Sequence, residues 1–563
     1  MYDPTRLLAT TATAALLAGC AGMGPRPAIT ALGTDPASAC TALVVPVPSA
    51  AIGLPSGAAS IDSATWMPAS ALAVAERGAT PAGRVTPATP AFCRLLGRIA
   101  PVSVDAPPIL FQVNLPAQWN GRSLQYGGGG FNGTLTTALG LPPAQRFDTP
   151  SPLAQGFITV GTDSGHQTKP TDAPQAFALN DEAFVNFAHA SYKKVRDVSV
   201  ALALRAYGRK PDRLYFMGSS EGGREGLTMA QRYPADFDGI FSRVPVINWT
   251  GLMHVSTRAG LTSMGDAWLG PAQVKHAHDA VLAACDASDG VADGIVSDAV
   301  GCKARFNDAS LRCAATPVAG CLNEAQVRAV QSLHSPWRSP FPLANGITEY
   351  PGWGVGGEGT PAFGPTGGWN AWWVGASAPT QPAKADNGIA WIFGSGALRY
   401  VFARDPNLDV TRFRTEDHAA RVLEVSTLMD ATNPDLGAFN ARGGKLVMLE
   451  YMADYAQSPY AGIGYFESVV KRLGQPAVGQ FARLYTAPGV DHVGSGAPAN
   501  VDMLGVLVDW VEQGQAPANL QVVEQSLAPG FAVQRARPLC EWPAWPRFKG
   551  GDVAQAANFE CTR

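Results

Sequence analysis

One short segment constrains this chain more than any other: the pentapeptide at 218–222, with the sequence G-S-S-E-G. The apolar run 214–217 before it is typical of a buried strand, and residues 224–232 after it have a helical pattern. A strand that turns abruptly into a helix needs small residues on both sides of the turn, because the two backbones pass close together. The pattern therefore predicts a sharp strand–turn–helix with Ser220 at its apex.

Strand and helix signals alternate along much of the chain, which predicts an α/β fold with a mostly parallel sheet covered on both faces. Besides the strand and the helix on either side of Ser220, we expect strands at 109–115, 123–126, 157–162, 239–246, 445–451 and 482–487, and helices at 182–207 and 501–512. The alternation stops between 247 and 432, a stretch rich in tryptophan. We therefore expect a core formed by 21–246 and 433–563, with 21–90 as a surface lead-in, and a large inserted lid domain at 247–432.

The N-terminus is typical of an export signal. Arg6 precedes a short apolar run at 7–18, and the sequence L-A-G-C ends at Cys20. The run is too short for a stable membrane anchor. Its ending resembles the lipobox of bacterial lipoproteins, in which the cysteine is acylated, and a plain signal peptide is the alternative. Either interpretation predicts that 1–20 is a signal peptide and that the protein is exported to the outer membrane, the periplasm or the medium. Membrane attachment is expected only through a lipid on Cys20.

Charge and cysteine content bear on the binding partners and on the compartment of the protein. The formal net charge is −3 and no basic cluster occurs, so nothing in the sequence predicts a nucleic-acid partner. Of the nine cysteines, Cys20 is set aside; the other eight are an even number suited to disulfides in an oxidising compartment, and none has C-x-x-C metal spacing. Short separations favour the pairs Cys285–Cys302, Cys313–Cys321 and Cys540–Cys561, which leaves Cys40–Cys93.

A serine at such an apex is a candidate nucleophile, but it needs a histidine base and a carboxylate that orients the histidine. In this arrangement the partners follow in the order serine, acid, histidine. His492 lies in a turn-like setting after a late strand, and Asp454 lies just past the end of the preceding strand. Asp491 is adjacent to His492 and cannot easily reach its Nδ1, so Asp454 is the preferred acid. The alternatives are an ordinary glycine turn at Ser220, a structural histidine and a capping aspartate.

The oxyanion formed by attack on an ester needs two preorganised N–H donors. The backbone of Glu221, directly after the nucleophile, is one candidate. The other should come from the glycine run 127–130, which follows a predicted strand, as oxyanion loops do in esterases. A phosphate-binding loop is the rival interpretation, but no Lys-Ser/Thr pair follows the run.

A second cluster of functional residues is the acidic loop at 286–295. Asp286, Asp289 and Asp293 lie within eight residues and would repel one another without a cation between them. Ca²⁺ accepts such carboxylates together with backbone carbonyls, here those of Val291 and Ile295. The spacing is not that of an EF-hand, and a solvated acidic turn is the alternative.

These motifs resemble those of the tannase and feruloyl esterase family of α/β-hydrolases over most of the mature chain. The resemblance is carried by the segments 119–122, 130–133, 220–226, 285–286, 488–492 and 537–540. It implies an α/β-hydrolase fold and a serine esterase that cleaves esters of aromatic acids, of the feruloyl or terephthalate-monoester type, through an acyl-enzyme. It also implies a catalytic triad of Ser220, Asp454 and His492 and an oxyanion hole formed by Gly130 and Glu221. It further implies a structural Ca²⁺ site held by Asp286, Asp289, Val291, Asp293 and Ile295.

The lid is expected to select the substrate. By the same resemblance, Arg399 is expected to hold a free carboxylate and Phe402 to cover the aromatic ring, with a surface position for Arg399 as the alternative. Residues 369–373 are expected either to stack on the acyl group or to form buried lid core. A galloyl esterase and a catalytically silent binding protein are the alternative functions.

The resemblance fails at one pair of positions. Family members commonly carry a disulfide between the residue before the nucleophile and the residue after the catalytic histidine, where this chain has Ser219 and Val493. The hypothesis that follows is a more mobile His492 turn.

Overall fold

The computed structural model describes residues 28–70, 74–75, 85–316, 318–360 and 367–563. The predicted signal peptide and Cys20 lie outside these residues. The described residues form 20 strands: β1 Thr30–Ala31, β2 Ala59–Met67, β3 Val74–Ala75, β4 Val85–Thr86, β5 Phe92–Ile99, β6 Ile109–Pro116, β7 Gln118–Trp119, β8 Arg122–Tyr126, β9 Ile158–Thr162, β10 Arg213–Ser219, β11 Gly239–Arg243, β12 Trp337–Arg338, β13 Glu349–Tyr350, β14 Lys445–Tyr451, β15 Ala482–Ala487, β16 Gln521–Gln525, β17 Val533–Pro538, β18 Cys540–Glu541, β19 Trp545–Phe548 and β20 Phe559–Thr562. They also form 14 α-helices: α1 Pro36–Thr41, α2 Asp181–Val185, α3 Ser191–Tyr207, α4 Glu221–Arg232, α5 Trp249–Thr262, α6 Pro271–Cys285, α7 Ala299–Arg305, α8 Glu324–His334, α9 Ile389–Ala397, α10 Ala419–Met429, α11 Gly437–Ala441, α12 Pro459–Leu473, α13 Gln475–Val478 and α14 Met503–Gln513.

A ten-stranded sheet with the spatial order β18-β15-β14-β11-β10-β8-β9-β6-β5-β2 forms the centre of the structure. Strands β15 to β9 in this order are parallel, and the flanking strands are antiparallel to their neighbours. Along β10, Tyr215 and Met217 pack in the same apolar cluster as α14, whereas Phe216 packs in the cluster that contains residues of α4 and α12. Both faces of the sheet are thus covered by helices, which confirms the expected α/β-hydrolase fold.

Three predicted elements differ from the structure. Residues 59–67 were expected in a surface lead-in but form edge strand β2, of which mainly alternate residues near its start are buried. The predicted helix 182–207 is interrupted by a π-helical turn at Asn186–Ala190. The predicted strand 239–246 ends at Arg243, because Val244 has a φ of 38°, a left-handed conformation that no strand continues.

No strand of the ten-stranded sheet comes from residues 247–432 among the described residues. Instead, the helices of this segment surround an apolar cluster that contains five buried tryptophans: Trp249, Trp353, Trp369, Trp373 and Trp391. The cluster also includes Phe131 and Tyr455, which follow β8 and β14. The inserted segment therefore packs on loops at the C-terminal edge of the sheet, where ligands bind in folds of this class.

Four disulfides join the eight described cysteines. Three are the pairs that short separations favoured, Cys285–Cys302, Cys313–Cys321 and Cys540–Cys561, and the fourth, Cys40–Cys93, is the pair that remained. The Cys40–Cys93 link joins α1 to strand β5 across 53 residues, whereas the Cys313–Cys321 link spans 8. The longer link removes more conformational freedom from the unfolded chain.

Loss of the Cys40–Cys93 disulfide should therefore destabilise the protein more than loss of the Cys313–Cys321 disulfide. We expect the Cys40→Ala/Cys93→Ala variant to lose about 4 kcal/mol of unfolding free energy and the Cys313→Ala/Cys321→Ala variant about 2.5 kcal/mol. Urea unfolding of both variants beside the parent measures the order, and equal losses or the reverse order would contradict the prediction.

Candidate active site

The backbone turns sharply at Ser220, between β10 and α4. Its φ of 60° and ψ of −122° are strained for a residue with a Cβ atom. Hydrogen bonds fix the turn on both sides, since Ser220 N donates to Arg243 O at 3.0 Å and Val246 N donates to Ser220 O at 3.2 Å. A Cβ atom on Gly218 would lie 2.1 Å from Gly222 O, so glycine is required there. The predicted strand–turn–helix is thus the structure that forms.

A cavity of about 440 Å³ opens beside this turn. It is lined by residues of the turn, of the glycine loop, of α5 and α9, and of the loops after β14 and β15: Gly130, Phe131, Ser220, Glu221, Val246, Trp249, Leu252, Met253, Ser256, Trp372, Ala390, Phe393, Ala456, Gln457 and His492. Four of the five catalytic and oxyanion candidates, all except Asp454, therefore line one cavity.

Asp454 lies behind the histidine. Its Oδ2 is 2.7 Å from His492 Nδ1, and its Oδ1 accepts the backbone N–H groups of Ala456 at 2.7 Å and Gln457 at 3.0 Å. Both side chains of the pair are buried. A carboxylate at Nδ1 favours the tautomer with the proton there, which leaves Nε2 as the proton acceptor.

Asp491 has a different role from Asp454 in the structure. Its Oδ1 accepts backbone N–H groups from Val493, Gly494 and Ser495 at 2.8 to 3.1 Å, so it closes the turn that carries His492. Burial raises the pKa of the Asp491 carboxyl to about 6, against the opposing effect of these backbone hydrogen bonds. The carboxylate therefore shapes the histidine turn rather than orienting the imidazole.

A buried carboxylate organises the glycine loop. Glu225 of α4 accepts Gly128 N at 2.9 Å on one oxygen, and Asn132 Nδ2 at 2.8 Å and Tyr192 Oη at 2.5 Å on the other. Asn132 Oδ1 in turn accepts Gly129 N at 2.7 Å. The loop is thus fixed from below by Glu225, Asn132 and Tyr192, which sequence patterns did not single out.

The two candidate oxyanion donors flank Ser220. Gly130 has a φ of 58° and lines the cavity. Glu221 is the first residue of α4, where a helix offers N–H groups without intrahelical partners. Its carboxylate accepts Arg224 Nε at 2.7 Å, and Arg224 is fully buried. Burial raises the pKa of the Glu221 carboxyl to about 7, against the opposing effect of the Arg224 charge.

The structure does not bring Arg399 and Phe402 into the cavity. Arg399 Nε donates to Leu408 O at 3.1 Å. Phe402 is 1 % exposed and packs on Trp249, which lines the cavity, and on His254. Both belong to a π-helical turn at Leu398–Phe402, outside the residues that line the cavity, so the positions assigned by the family resemblance do not face it.

Other aromatic side chains form the cavity wall instead. The Phe393 ring lies 4.9 Å from that of Phe131 in an edge contact and 5.8 Å from that of Trp372. The Trp372 ring lies 6.1 Å from the imidazole of His492. Within the stretch 369–373, Trp372 thus faces the cavity, while its tryptophan neighbours are lid core. Phe393 was not predicted, and its apolar helix gives no sign of which side faces a ligand.

The acidic loop has donors that fit a hard cation only in part. Asp289 is 1 % exposed, and its Oδ2 is buried without a hydrogen-bond partner. Asp286, however, accepts N–H groups from Asp293 and Gly294, and Asp293 pairs with Arg537 at 2.5 Å. Among the described residues no three carboxylate, imidazole or thiolate side chains converge as a metal site. The unpaired Asp289 oxygen and the all-oxygen donor set are the observations that fit calcium.

Comparison with known proteins assigns the chain to a family. The family model "Tannase and feruloyl esterase" matches residues 93–562. The chain belongs to the tannase and feruloyl esterase family. It is 35 % identical over 552 residues to an uncharacterized esterase of Agrobacterium fabrum, covering 93 % of each chain. It is 33 % identical over 559 residues to the mono(2-hydroxyethyl) terephthalate hydrolase of Piscinibacter sakaiensis, covering 90 % of this chain and 89 % of the relative.

Solved structures agree on the fold of this family. The crystal structure of feruloyl esterase B from Aspergillus oryzae matches with a TM-score of 0.73 at 24 % identity, covering 91 % of this chain and 98 % of that one. An esterase from the same organism matches with a TM-score of 0.75 at 23 % identity, covering 93 % and 99 %. These similarities support the α/β-hydrolase assignment made from the sheet.

Exchange of the two aspartates for asparagine should separate their roles. We expect Asp454→Asn to lower kcat for a 4-nitrophenyl ester roughly 10³- to 10⁴-fold, because the histidine loses the carboxylate that fixes its tautomer. Asp491→Asn keeps an oxygen acceptor for the turn, and we expect a loss of about tenfold or less. Steady-state kinetics of both variants measures this, and a larger loss in Asp491→Asn would reverse the assignment.

Proposed function

We propose that this chain is a serine esterase that hydrolyses esters of aromatic acids through an acyl-enzyme. The observation that carries the proposal is the aromatic-walled cavity that holds Ser220 and His492, with Asp454 Oδ2 2.7 Å from the imidazole. Membership of the tannase and feruloyl esterase family supports the same chemistry. A catalytically silent binding protein has no need for the strained turn at Ser220 or for a buried aspartate behind the histidine.

In the acylation half of the reaction, Ser220 Oγ attacks the ester carbonyl carbon while His492 Nε2 takes its proton. Asp454 stabilises the imidazolium that forms. The N–H groups of Gly130 and Glu221 bind the oxyanion of the tetrahedral intermediate. Collapse of the intermediate breaks the bond to the alcohol oxygen, which receives the proton from His492, and leaves the acid bound to Ser220 as an ester.

Water completes the cycle. His492 takes a proton from a water molecule, whose oxygen attacks the acyl carbonyl, and the same two N–H groups bind the second oxyanion. The proton then returns to Ser220 Oγ as the acid leaves. No group outside the chain is needed for these proton transfers, because one imidazole serves as base and as acid in each half-reaction.

The walls of the cavity support an aromatic acyl group. Phe131, Trp249, Trp372 and Phe393 present rings to it, and such rings pack well on a planar aromatic acid. Ser256 is the polar side chain on the α5 wall, one face of which contributes Trp249, Leu252, Met253 and Ser256 to the lining. A serine hydroxyl there suits a hydroxyl or methoxy substituent on the ring.

The charge of the cavity favours a neutral acid. No lysine or arginine lies among the described lining residues, and segment 361–366, outside the described residues, has no charged residue in its sequence. A relative is named for mono(2-hydroxyethyl) terephthalate, an ester whose acid part carries a free carboxylate. Burial of a carboxylate without a cation or full hydrogen bonding costs several kcal/mol. We therefore propose a neutral aromatic acyl group, of the feruloyl kind, as the substrate of this chain.

Three methyl esters that differ only at the para position test both the esterase activity and the preference for a neutral acyl group: methyl benzoate, methyl 4-carbamoylbenzoate and monomethyl terephthalate. The carbamoyl group has nearly the shape of a carboxylate without its charge. We expect turnover of the two neutral esters and a kcat/KM for the anionic ester at least roughly 100-fold below that of its carbamoyl counterpart. Chromatography of the released acids measures all three.

The control is Ser220→Ala, which should abolish turnover of every ester. Hydrolysis by wild type that survives in Ser220→Ala, or no hydrolysis of any aromatic ester, would contradict the proposed enzyme. Equal kcat/KM for the carbamoyl and carboxylate esters would contradict the neutral acyl group alone. If neither para-substituted ester is hydrolysed, the cavity discriminates between the esters by shape rather than by charge.

We also propose a structural calcium ion in the acidic loop. It would be held by the carboxylates of Asp286, Asp289 and Asp293 and by the carbonyls of Val291 and Ile295, and it would neutralise the loop without entering bond cleavage. The loop adjoins the histidine turn, since a Cβ atom on Gly489 would lie 2.9 Å from Ile295 Cγ2. Order in the loop therefore supports the turn that carries His492.

Calcium removal tests this part of the proposal. A ligand that binds the native state alone raises the unfolding temperature, so we expect dialysis against EDTA to lower Tm by several degrees and Ca²⁺ to restore it. Asp289→Asn should have a lower Tm than wild type in Ca²⁺, and the difference should shrink in EDTA, where the wild-type loop carries uncompensated negative charge. Calorimetry of wild type and variant measures the shift, and a Tm that is the same with EDTA and with Ca²⁺ would contradict a calcium site.

We propose that the protein acts outside the cytoplasm, attached to the outer membrane by a lipid on Cys20 or free in the periplasm or medium. Four disulfides, which persist in oxidising compartments, support export. Among the described residues, no helix combines the length and the apolar character needed to cross a bilayer.

A further inference from the structure

The three triad candidates follow three different strands and lie in loops at the C-terminal edge of the sheet. Ser220 follows β10, Asp454 follows β14, and His492 follows β15. Misplacement of a catalytic group by about 1 Å can cost roughly 100-fold in rate. The relative position of these segments therefore needs a physical link.

Strand β11 lies between β10 and β14 in the sheet and ends at Arg243. In the strand register Arg243 is opposite Ser219 on one side and Leu449 on the other. Its backbone already supports the turn, because its carbonyl accepts Ser220 N at 3.0 Å. The side chain of this residue is thus between the nucleophile strand and the acid strand.

The guanidinium group contacts both of these strands. Nε donates to Ser219 Oγ at 2.8 Å, directly before the nucleophile. Nη1 donates to Tyr451 Oη at 3.3 Å, and the group lies 5.3 Å from the centre of the Tyr451 ring. Tyr451 is the last residue of β14, three positions before Asp454, and its Oη also donates to Ala499 O at 3.4 Å.

The same group reaches the histidine turn. A Cβ atom on Gly494, two residues after His492, would lie 3.7 Å from Arg243 Nη1. Gly494 is fixed in its turn by its N–H bond to Asp491 Oδ1 at 3.1 Å. One side chain therefore bonds to the residue before Ser220 and to the strand end before Asp454, and it lies beside the turn after His492.

The partners of this side chain in the described part of the chain are two hydroxyl groups and an aromatic ring, and Gly494 lies nearby. Arg243 does not line the cavity. It is therefore neither a substrate ligand nor the partner of a buried carboxylate. A planar guanidinium with several fixed donors suits a link between separate segments better than a flexible ammonium does.

We infer that Arg243 is a positioning residue that holds the nucleophile turn, the acid strand and the histidine turn in register for the reaction. This inference rests on the proposed serine esterase activity. It deepens that proposal, because it names a residue outside the cavity on which the rate depends.

Arg243→Met tests the inference, since methionine keeps much of the apolar stem and removes every donor. We expect kcat for methyl 4-carbamoylbenzoate to fall roughly 10- to 100-fold with KM within about threefold of wild type, because the cavity walls are unchanged. Arg243→Lys should recover part of the loss. Titration of reactive serine with a fluorophosphonate probe corrects each rate for the folded, active fraction.

The matched control is Arg209→Met. Arg209 also stacks on an aromatic ring, Trp119 at 4.5 Å, and donates to an acceptor, Asp212, but it lies near the start of β8, at the opposite edge of the sheet. Its kcat should stay within twofold of wild type.

The inference would be overturned if Arg243→Met kept the kcat of wild type, or if Arg209→Met lost as much kcat as Arg243→Met. If the wild-type protein hydrolysed no ester, the proposed function would be overturned instead. Should Arg243→Met not fold, Tyr451→Phe removes one link and keeps the ring: a kcat two- to fivefold below wild type at unchanged KM supports the inference, and an unchanged kcat overturns it.

Discussion

Close backbone packing around Ser220 is the constraint on which the rest of the site depends. Gly218 and Gly222 meet where β10 passes α4, and a Cβ atom on Gly127 would lie 2.6 Å from Gly222 Cα. Strand, helix and glycine loop therefore touch without side chains between them. This contact brings the first N–H groups of α4 and the loop at Gly130 to the same side as the serine, which is the arrangement that an oxyanion requires.

Most of the charged side chains near the candidate site lie behind the cavity wall rather than on its surface. Glu225 fixes the glycine loop from below, and the Glu221 carboxylate turns towards the fully buried Arg224. Asp454 serves the imidazole, and Asp491 serves the turn that carries it. The surface left for a substrate is aromatic and, apart from His492 and Glu221, lined by neutral residues. Fixed polar groups thus surround the triad candidates, and the proposed neutral acyl group would meet an uncharged aromatic wall.

The sequence predicted those parts of the molecule that local patterns determine. The α/β-hydrolase fold and the family are confirmed, three disulfide pairs are those that short separations favoured, and Cys40–Cys93 is the pair that remained. The serine turn, Asp454 and His492 follow a fixed chain order in this fold, so a pattern could find them. The roles of these residues, the calcium ligands and the domain boundaries at 246 and 433 stay predictions.

Features set by tertiary contacts could not be predicted. Edge strand β2 has few large apolar residues, because mainly alternate residues near its start are buried, so its composition resembled a loop. The cavity walls come from helical turns of the lid that include π-helical segments, where regular spacing no longer tells which side faces inward. Arg399 and Phe402 were assigned to the cavity by the family resemblance alone, and Phe393 lies on the apolar helix α9, whose pattern does not tell which side faces a ligand. The contacts of Arg243 join segments more than 200 residues apart in the chain.

The central claim is that Ser220 forms a covalent ester with the acid during turnover. Rapid acid quench of the protein mixed with a 4-nitrophenyl ester of an aromatic acid, followed by peptide mass spectrometry, tests this claim most directly. We expect one acyl group per chain, on the peptide that contains Ser220, and none in Ser220→Ala. An acyl group on another residue, or turnover in wild type without any acylated peptide, would contradict it.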